Sequence, residues 1–138
     1  MDFNLSDEQR QVQETFARFC DERIRPQAAA LDEAHTYPRE LMGELAELGF
    51  FGMRYPEDVG GVDMDLASLC LALEEIARGS MSLAGCATMQ SLMGIKFLHM
   101  LGNDDIRGRL FRPALRAEKI GGICMTEPNA GSDLGGIS

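Results

Sequence analysis

Apolar residues recur at helical spacing along most of this sequence, and the pattern stops near residue 118. Ser6 and Gln9 have the spacing of a helix N-terminus, and the apolar positions after them fall three and four residues apart. Four further segments of the same kind follow, and they begin near Pro38, Asp65, Ser82 and Asp104. The sequence therefore predicts a mainly α fold, a helical bundle over residues 1–118.

Proline and glycine mark the predicted helix ends. Pro26 is expected to end or kink the first helix, with a short resumption after it, and Pro113 is expected to interrupt the fifth. Both expectations follow because proline lacks an amide hydrogen and clashes with the preceding turn. Gly49 and Gly102 stand where the second and fourth helices are predicted to stop.

The composition changes after Lys119. Residues 120–126 have the pattern of a short strand, and the residues that follow, PNAGSDLGGIS, are typical of a loop. We therefore predict two units, a helical N-terminal domain over residues 1–118 and the start of a β domain over residues 119–138. Because one strand cannot form a sheet by itself, we expect this second unit to be truncated.

Charge and hydropathy exclude some classes of partner. The net charge of −9, from 13 basic and 22 acidic side chains, disfavours nucleic acid and anionic membrane surfaces. A nucleotide cofactor remains compatible, because backbone amides can hold a phosphate locally. The apolar stretch 81–101 contains Gln90, Lys96 and His99, so we predict a buried helix and no membrane span. For His99 we favour packing or a helix C-terminal charge over catalysis.

Cysteine usage and the first residues predict a cytoplasmic protein. The opening MDFNLSDE has no basic residue and does not resemble a signal peptide. No cysteine pair has C-x-x-C spacing, so we expect no metal site and interpret the cysteines as small buried hydrophobes in a reducing compartment. These cysteines are Cys20, Cys70, Cys86 and Cys124.

The run CMTEPNAGSDLGG, residues 124–136, is the segment most suggestive of chemistry. Gly131 can adopt a positive φ and lets a bulky ligand approach the backbone, while successive amides of the loop can hold an anion. Thr126 and Ser132 supply hydroxyls, and Asp133 is expected to bond the loop's own amides. The alternative from the residues alone is a polar surface turn.

This run resembles the flavin-loop signature of the acyl-CoA dehydrogenase family at thirteen consecutive positions. Further resemblances occur in the same order along the chain: FNLSDEQ from Phe3, YPEDVGG from Tyr55, EEIAR from Glu74 with SLA from Ser82, and LGND from Leu101. The likeness covers all 138 residues but only the N-terminal part of the family's chain. Family members continue with a β domain and a C-terminal four-helix domain.

The resemblance implies FAD as cofactor and assigns residues to it. The implied cofactor-binding residues are Ile123, Cys124, Met125, Thr126, Gly131 and Ser132. Thr126 is expected to bond the pyrimidine edge of the flavin, and Ser132 to lie near the diphosphate and the CoA part of the substrate. Met89 and Met93 are expected to line the acyl tunnel, although methionines at helical spacing more often fill a core.

The activity implied is α,β-dehydrogenation of an acyl-CoA in fatty acid metabolism, with hydride transfer to flavin N5. The family's base is usually a Glu placed beyond residue 138, so no catalytic residue is assigned. The resemblance also implies reoxidation by an electron-transfer flavoprotein and a homotetramer. The alternatives are a flavin oxidase or a carrier-protein acyl dehydrogenase of the same fold, or a non-catalytic helical interaction module.

Overall fold

Helices account for most of the computed structural model, which describes residues 4–137. Phe3, in the opening motif, and Ser138 lie outside the described residues. The α-helices are α1 Asp7–Phe19, α2 Arg25–Glu33, α3 Arg39–Glu47, α4 Leu66–Gly79, α5 Met81–Met89, α6 Lys96–Leu101, α7 Asp104–Ile106 and α8 Arg112–Leu115. The prediction of a mainly helical fold is therefore confirmed.

Side-chain caps fix where several helices begin. Ser6 Oγ accepts the Gln9 amide at 3.1 Å, and the Gln9 side chain accepts the Ser6 amide at 3.0 Å, so the predicted capping box is present. Asp65 Oδ1 accepts the Ser68 amide at 2.7 Å and begins α4, as predicted. The prediction that Ser82 opens the fourth helix is wrong. Ser80 is the cap, because its backbone is extended and its hydroxyl accepts the Leu83 amide at 3.2 Å.

Within residues 4–137, three π turns lie between α-helical segments: Cys20–Ile24, Gln90–Ile95 and Arg107–Phe111. They join α1 to α2, α5 to α6, and α7 to α8. Pro26 and Pro113 are each the second residue of the α-helix after a π turn. The predicted resumption after Pro26 is present and longer than expected, since the chain stays helical to Glu33. A π turn already replaces the i→i−4 bonds that proline would disrupt, so the ring is accommodated there.

The hydrophobic core lies between α1, α3, α4 and the long helix formed by α5, the second π turn and α6. Phe16 and Phe50 meet edge to face at 5.8 Å, and Phe50 meets Phe51 at 5.3 Å. The core continues through Leu41, Leu45, Leu69, Ala72, Ile76, Leu83, Ala87 and Ile95. The prediction of buried cysteines holds for Cys20 and is wrong for Cys70 and Cys124, which are exposed.

The long helix, residues 81–101, ends at Gly102, as predicted. One side of it is buried, yet Met81 is 75% exposed and Leu101 is 79% exposed. No helix in the described part of the chain combines the length and apolarity that crossing a bilayer requires.

Residues 120–126 do not form the predicted strand. They are in no regular structure, and the bridge between Glu127 and Ala130 is the β pairing found within residues 4–137. A strand is stable only when a neighbouring strand satisfies its backbone groups, and none is present in the described residues. The apolar pattern of this segment therefore did not indicate a formed strand within this chain.

Candidate functional site

The candidate site is the loop 122–137, which folds locally on itself. The Glu127 amide donates to Ala130 O at 2.8 Å and the Ala130 amide donates to Glu127 O at 3.3 Å, closing a tight turn across Pro128 and Asn129. Asp133 Oδ1 accepts the Gly135 amide at 3.2 Å, which confirms that this carboxylate bonds the loop's own backbone. The turn and the capped 3₁₀ turn Leu134–Gly136 give the loop a defined shape without a sheet.

Gly131 does not adopt the positive φ that the sequence suggested. The left-handed glycines among the described residues are Gly49 and Gly60. The chain reverses before Gly131, across the turn closed at Ala130, so no left-handed residue is needed there. A Cβ built at Gly131 meets no atom within 4 Å. Neither the conformation nor the packing of this chain therefore requires glycine, and the open space beside it is free for another molecule.

The remaining predicted cofactor residues lie exposed on this loop. Ile123 is 38% exposed and Met125 is 39% exposed, while the hydroxyls of Thr126 and Ser132 make no hydrogen bond to another residue between 4 and 137. Residues 122–126 likewise leave their backbone groups unpaired within that range. An FAD molecule needs apolar contact for its ring and hydrogen bonds for its polar edge and diphosphate. This mixture of groups fits that need.

The base of the loop is fastened to the long helix by Gln90, which is 1% exposed. Its Nε2 donates to Ala114 O at 3.0 Å and to Lys119 O at 2.9 Å. Its Oε1 accepts the Gly121 amide at 2.8 Å. One buried carboxamide therefore joins the long helix, α8 and the segment that enters the loop.

A glycine contact lies one turn beyond Gln90. A Cβ built at Gly121 would lie 2.5 Å from Gly94 Cα, and a Cβ built at Gly94 would lie 2.9 Å from Gly121 Cα. Only two glycines let the backbones pass this closely. Gln90 and Gly94 both belong to the second π turn, so the loop leaves the helical bundle directly over that turn.

A buried aromatic cluster supports the same π turn. Tyr55 is 4% exposed, and its hydroxyl donates to Ser91 O at 3.1 Å. Burial raises the pKa of Tyr55 to about 12. The Tyr55 ring meets His99 at 5.2 Å and Phe111 at 5.3 Å, so His99 is a packing residue, in line with the interpretation favoured from the sequence.

The two predicted substrate residues flank the point where the loop leaves the bundle. Met89 precedes Gln90, and Met93 precedes Gly94. Met89 is 41% exposed and Met93 is half-buried, whereas Met81 and Met100 are exposed at 75% and 60%. These methionines are therefore outside the buried core of residues 4–137, and contact of Met89 and Met93 with an acyl group stays a prediction. The apolar outer side of the helix is open to contact.

The sequence reasoning missed Gln90, Gly94 and Gly121. A glutamine within a strongly apolar helix was a usable signal of a buried polar group. Its partners, however, lie 24 to 31 residues away, and no local spacing indicates them. Gly94 and Gly121 are ordinary glycines in the sequence, and only the crossing of the two backbones shows what they do.

Comparisons with known proteins identify the family. Residues 6–118 match the family model "Acyl-CoA dehydrogenase, N-terminal domain". The chain therefore belongs to the acyl-CoA dehydrogenase family, as its motifs indicated.

Particular relatives agree with this assignment. The chain is 71% identical over 138 residues to benzylmalonyl-CoA dehydrogenase of Aromatoleum aromaticum, and the alignment covers 100% of this chain and 37% of that protein. A solved glutaryl-coenzyme A dehydrogenase in complex with glutaryl-CoA has a TM-score of 0.91 at 35% identity, covering 100% of this chain and 36% of that one. An acyl-CoA dehydrogenase from Bacillus anthracis complexed with FAD has a TM-score of 0.86 at 26% identity, and the match covers 97% of this chain and 23% of that one. The chain thus spans little more than a third of the length of its close relative.

Proposed function

We propose that this chain provides the helical domain and the flavin loop of an FAD-dependent acyl-CoA dehydrogenase. The observation that carries the proposal is the exposure of Thr126 and Ser132 on the loop, where their hydroxyls and the backbone groups of residues 122–126 make no hydrogen bond within residues 4–137. Membership of the family and the FAD complex of the Bacillus anthracis relative support the choice of cofactor.

The proposal gives Thr126, Ser132 and residues 123–125 separate roles. Thr126 Oγ1 bonds the pyrimidine edge of the flavin, and the backbone of residues 123–125 lies along the ring. Ser132 and neighbouring amides bond the diphosphate or the CoA moiety, which suits an acidic chain because no long cation is required. The chemistry that FAD supplies when bound is acceptance of the hydride from the substrate β carbon.

The substrate class proposed is an acyl-CoA related to benzylmalonyl-CoA, because the relative with that name is 71% identical over the whole chain. Met89 and Met93 are proposed to contact the acyl group beside the base of the loop. No residue of this chain is assigned as the base that removes the α proton. We place that carboxylate in a part of the whole enzyme beyond residue 138.

The wider arrangement follows the same resemblance. We propose that residues 119–138 begin a β domain whose other strands pair with residues 120–126. An electron-transfer flavoprotein as acceptor, a homotetrameric assembly, a place in fatty acid metabolism and a cytoplasmic location are further predictions of this proposal.

A hybrid enzyme tests the proposed function. This chain replaces the matching residues of the Aromatoleum aromaticum relative, and the purified hybrid is assayed for bound FAD and for flavin reduction by benzylmalonyl-CoA. We expect one FAD per chain and reduction at a rate close to that of the relative. A hybrid that folds but carries no FAD contradicts the proposal.

The same hybrid tests the role of Thr126. Thr126→Val removes one hydrogen bond worth about 1 kcal/mol, so FAD should bind about fivefold more weakly or be reduced more slowly. Thr36→Val is the matched control, because Thr36 is exposed and its hydroxyl donates to the nearby Ala34 O. Equal FAD affinity and equal reduction rates in the two variants would remove Thr126 from the site.

The hybrid also separates the alternatives of the same fold. Rapid reoxidation of the reduced hybrid by dioxygen favours a flavin oxidase, and reduction by an acylated carrier protein in preference to the CoA ester favours a carrier-protein dehydrogenase. A non-catalytic interaction module predicts neither FAD nor turnover.

A further inference from the structure

We propose that Gln90 is the positioning residue of the flavin loop, a buried clamp that fixes where the chain leaves the helical bundle and so where residues 123–132 meet the cofactor. This inference rests on the proposed function for the identity of the ligand. The clamp itself rests only on contacts within this chain.

The first support is the bonding of the Gln90 side chain. It is 1% exposed, and its three bonds, at 2.8 to 3.0 Å, use both amide hydrogens and the carbonyl oxygen. Two of these bonds reach the entering segment on either side of Ile120. A glutamine placed only to satisfy the helix would bond within its own turn, so its use here is to hold another segment.

The second support is the close crossing of Gly94 and Gly121. Because a Cβ on either residue would meet the other backbone at 2.9 Å or less, the entering segment lies directly against the π turn. This contact sets the distance of the segment from the helix, and the Gln90 bonds set its position along the helix. Together they leave the base of the loop little freedom.

The third support is the π turn itself. Gln90 is its first residue, and Tyr55 donates to Ser91 O in the same turn from the YPEDVGG motif. The widened turn is therefore held from two sides, by Tyr55 and by the segment that Gln90 binds. π turns within long helices often occur at functional sites, and here the turn lies where the candidate cofactor loop begins.

Variants of Gln90 distinguish the clamp from general stability. Gln90→Met keeps the shape but loses all three bonds, and Gln90→Asn keeps the amide but shortens its reach by about 1.5 Å, one carbon–carbon bond. Gln11→Met is the control, since Gln11 is an exposed glutamine of α1. Gln90→Asn is the milder variant, and it replaces Gln90→Met in the measurements if that variant does not fold.

Amide hydrogen exchange of this chain tests the clamp without any cofactor. In Gln90→Met we expect the Gly121 amide to exchange at least about fivefold faster than in the wild type, with unchanged protection in α1 and α4. The Gly121 exchange rate of Gln90→Asn should lie between those of Gln90→Met and the wild type, and the rate of Gln11→Met should match the wild type. Unchanged exchange at Gly121, or an equal rise in every helix, would overturn the clamp.

The loaded hybrid tests the effect on the cofactor. We expect the visible absorption spectrum of the bound flavin to shift in Gln90→Met, to shift less in Gln90→Asn, and to stay unchanged in Gln11→Met. A merely structural role lowers FAD content without changing the spectrum of the flavin that remains. An unshifted spectrum in both Gln90 variants therefore overturns the positioning role.

The outcomes also separate this inference from the proposed function. A wild-type hybrid that binds FAD while the Gln90 variants keep its spectrum refutes the inference alone. A wild-type hybrid without FAD refutes the proposed function and the flavin role of Gln90 with it. In that case, faster Gly121 exchange in Gln90→Met still establishes the clamp as a feature of the chain.

Discussion

At the scale of single residues, buried polar side chains do what the apolar core cannot, because they fix the register of neighbouring segments. Tyr55 and Gln90 are 4% and 1% exposed, and both bond backbone carbonyls far away in the sequence. Apolar contacts are not directional, whereas a buried hydrogen bond is expensive to break and tolerates little displacement. These two residues therefore determine how the loops lie on the helices.

The raised pKa of Tyr55 predicts a pH dependence of stability. The pKa is about 12 in the folded chain because burial disfavours the phenolate, against an ordinary value near 10. The folded state holds this proton more tightly than the unfolded state. The contribution to the free energy of unfolding is therefore complete below pH about 10, and it is lost as the pH rises towards about 12.

A spectrophotometric titration measures this directly. The chain has 2 tyrosines, so in Tyr37→Phe the phenolate absorbance reports Tyr55 alone. We expect a midpoint near pH 12 for the folded chain and near pH 10 in denaturant. Comparing the unfolding of Tyr55→Phe with the wild type across this range isolates its contribution. A folded-state midpoint near 10 would contradict the burial argument.

At the scale of elements, the π turns explain how the helices continue past Pro26 and Pro113. Pro26 and Pro113 each follow a π turn whose closing bond, from Arg25 to Cys20 O and from Arg112 to Arg107 O, spans five residues. The helices therefore change their bonding and continue. The second π turn contains no proline, and it lies where the loop-entry segment crosses the helix.

Two adjacent glycines test that crossing. Gly121→Ala places a Cβ 2.5 Å from Gly94 Cα, a backbone atom that cannot move aside, so we expect a loss of about 1–3 kcal/mol in the free energy of unfolding. Gly122→Ala is the matched control, because a Cβ there meets nothing within 4 Å, and its effect should stay within about 0.5 kcal/mol. Urea denaturation of both variants gives the comparison. Equal stabilities would show that the two backbones do not pass as closely as described.

At the scale of the whole molecule, the helices form a buried core while the signature loop lies at its surface. Cofactor sites usually enclose most of their ligand. Thr126, Ser132 and their neighbours lie exposed at the surface, so this loop can contact only one side of a bound ligand. We therefore expect this chain by itself to bind FAD weakly or not at all.

Equilibrium dialysis of the chain with FAD measures this affinity, and the hybrid enzyme is the positive control. A weak affinity for FAD that falls further in Thr126→Val agrees with a partial site. A purified chain that holds one FAD per molecule would show instead that the loop and the helical surface suffice to enclose the cofactor.

The sequence by itself determined the family of the chain, most of its helical segments, and the caps at Ser6 and Asp65. These features depend on residues a few positions apart, so local spacing records them. The tertiary structure alone decided three others: the clamp at Gln90, the crossing of Gly94 and Gly121, and the absence of a strand at 120–126 within the described residues. Each depends on whether a distant segment is present as a partner, and neither periodicity nor propensity encodes that information.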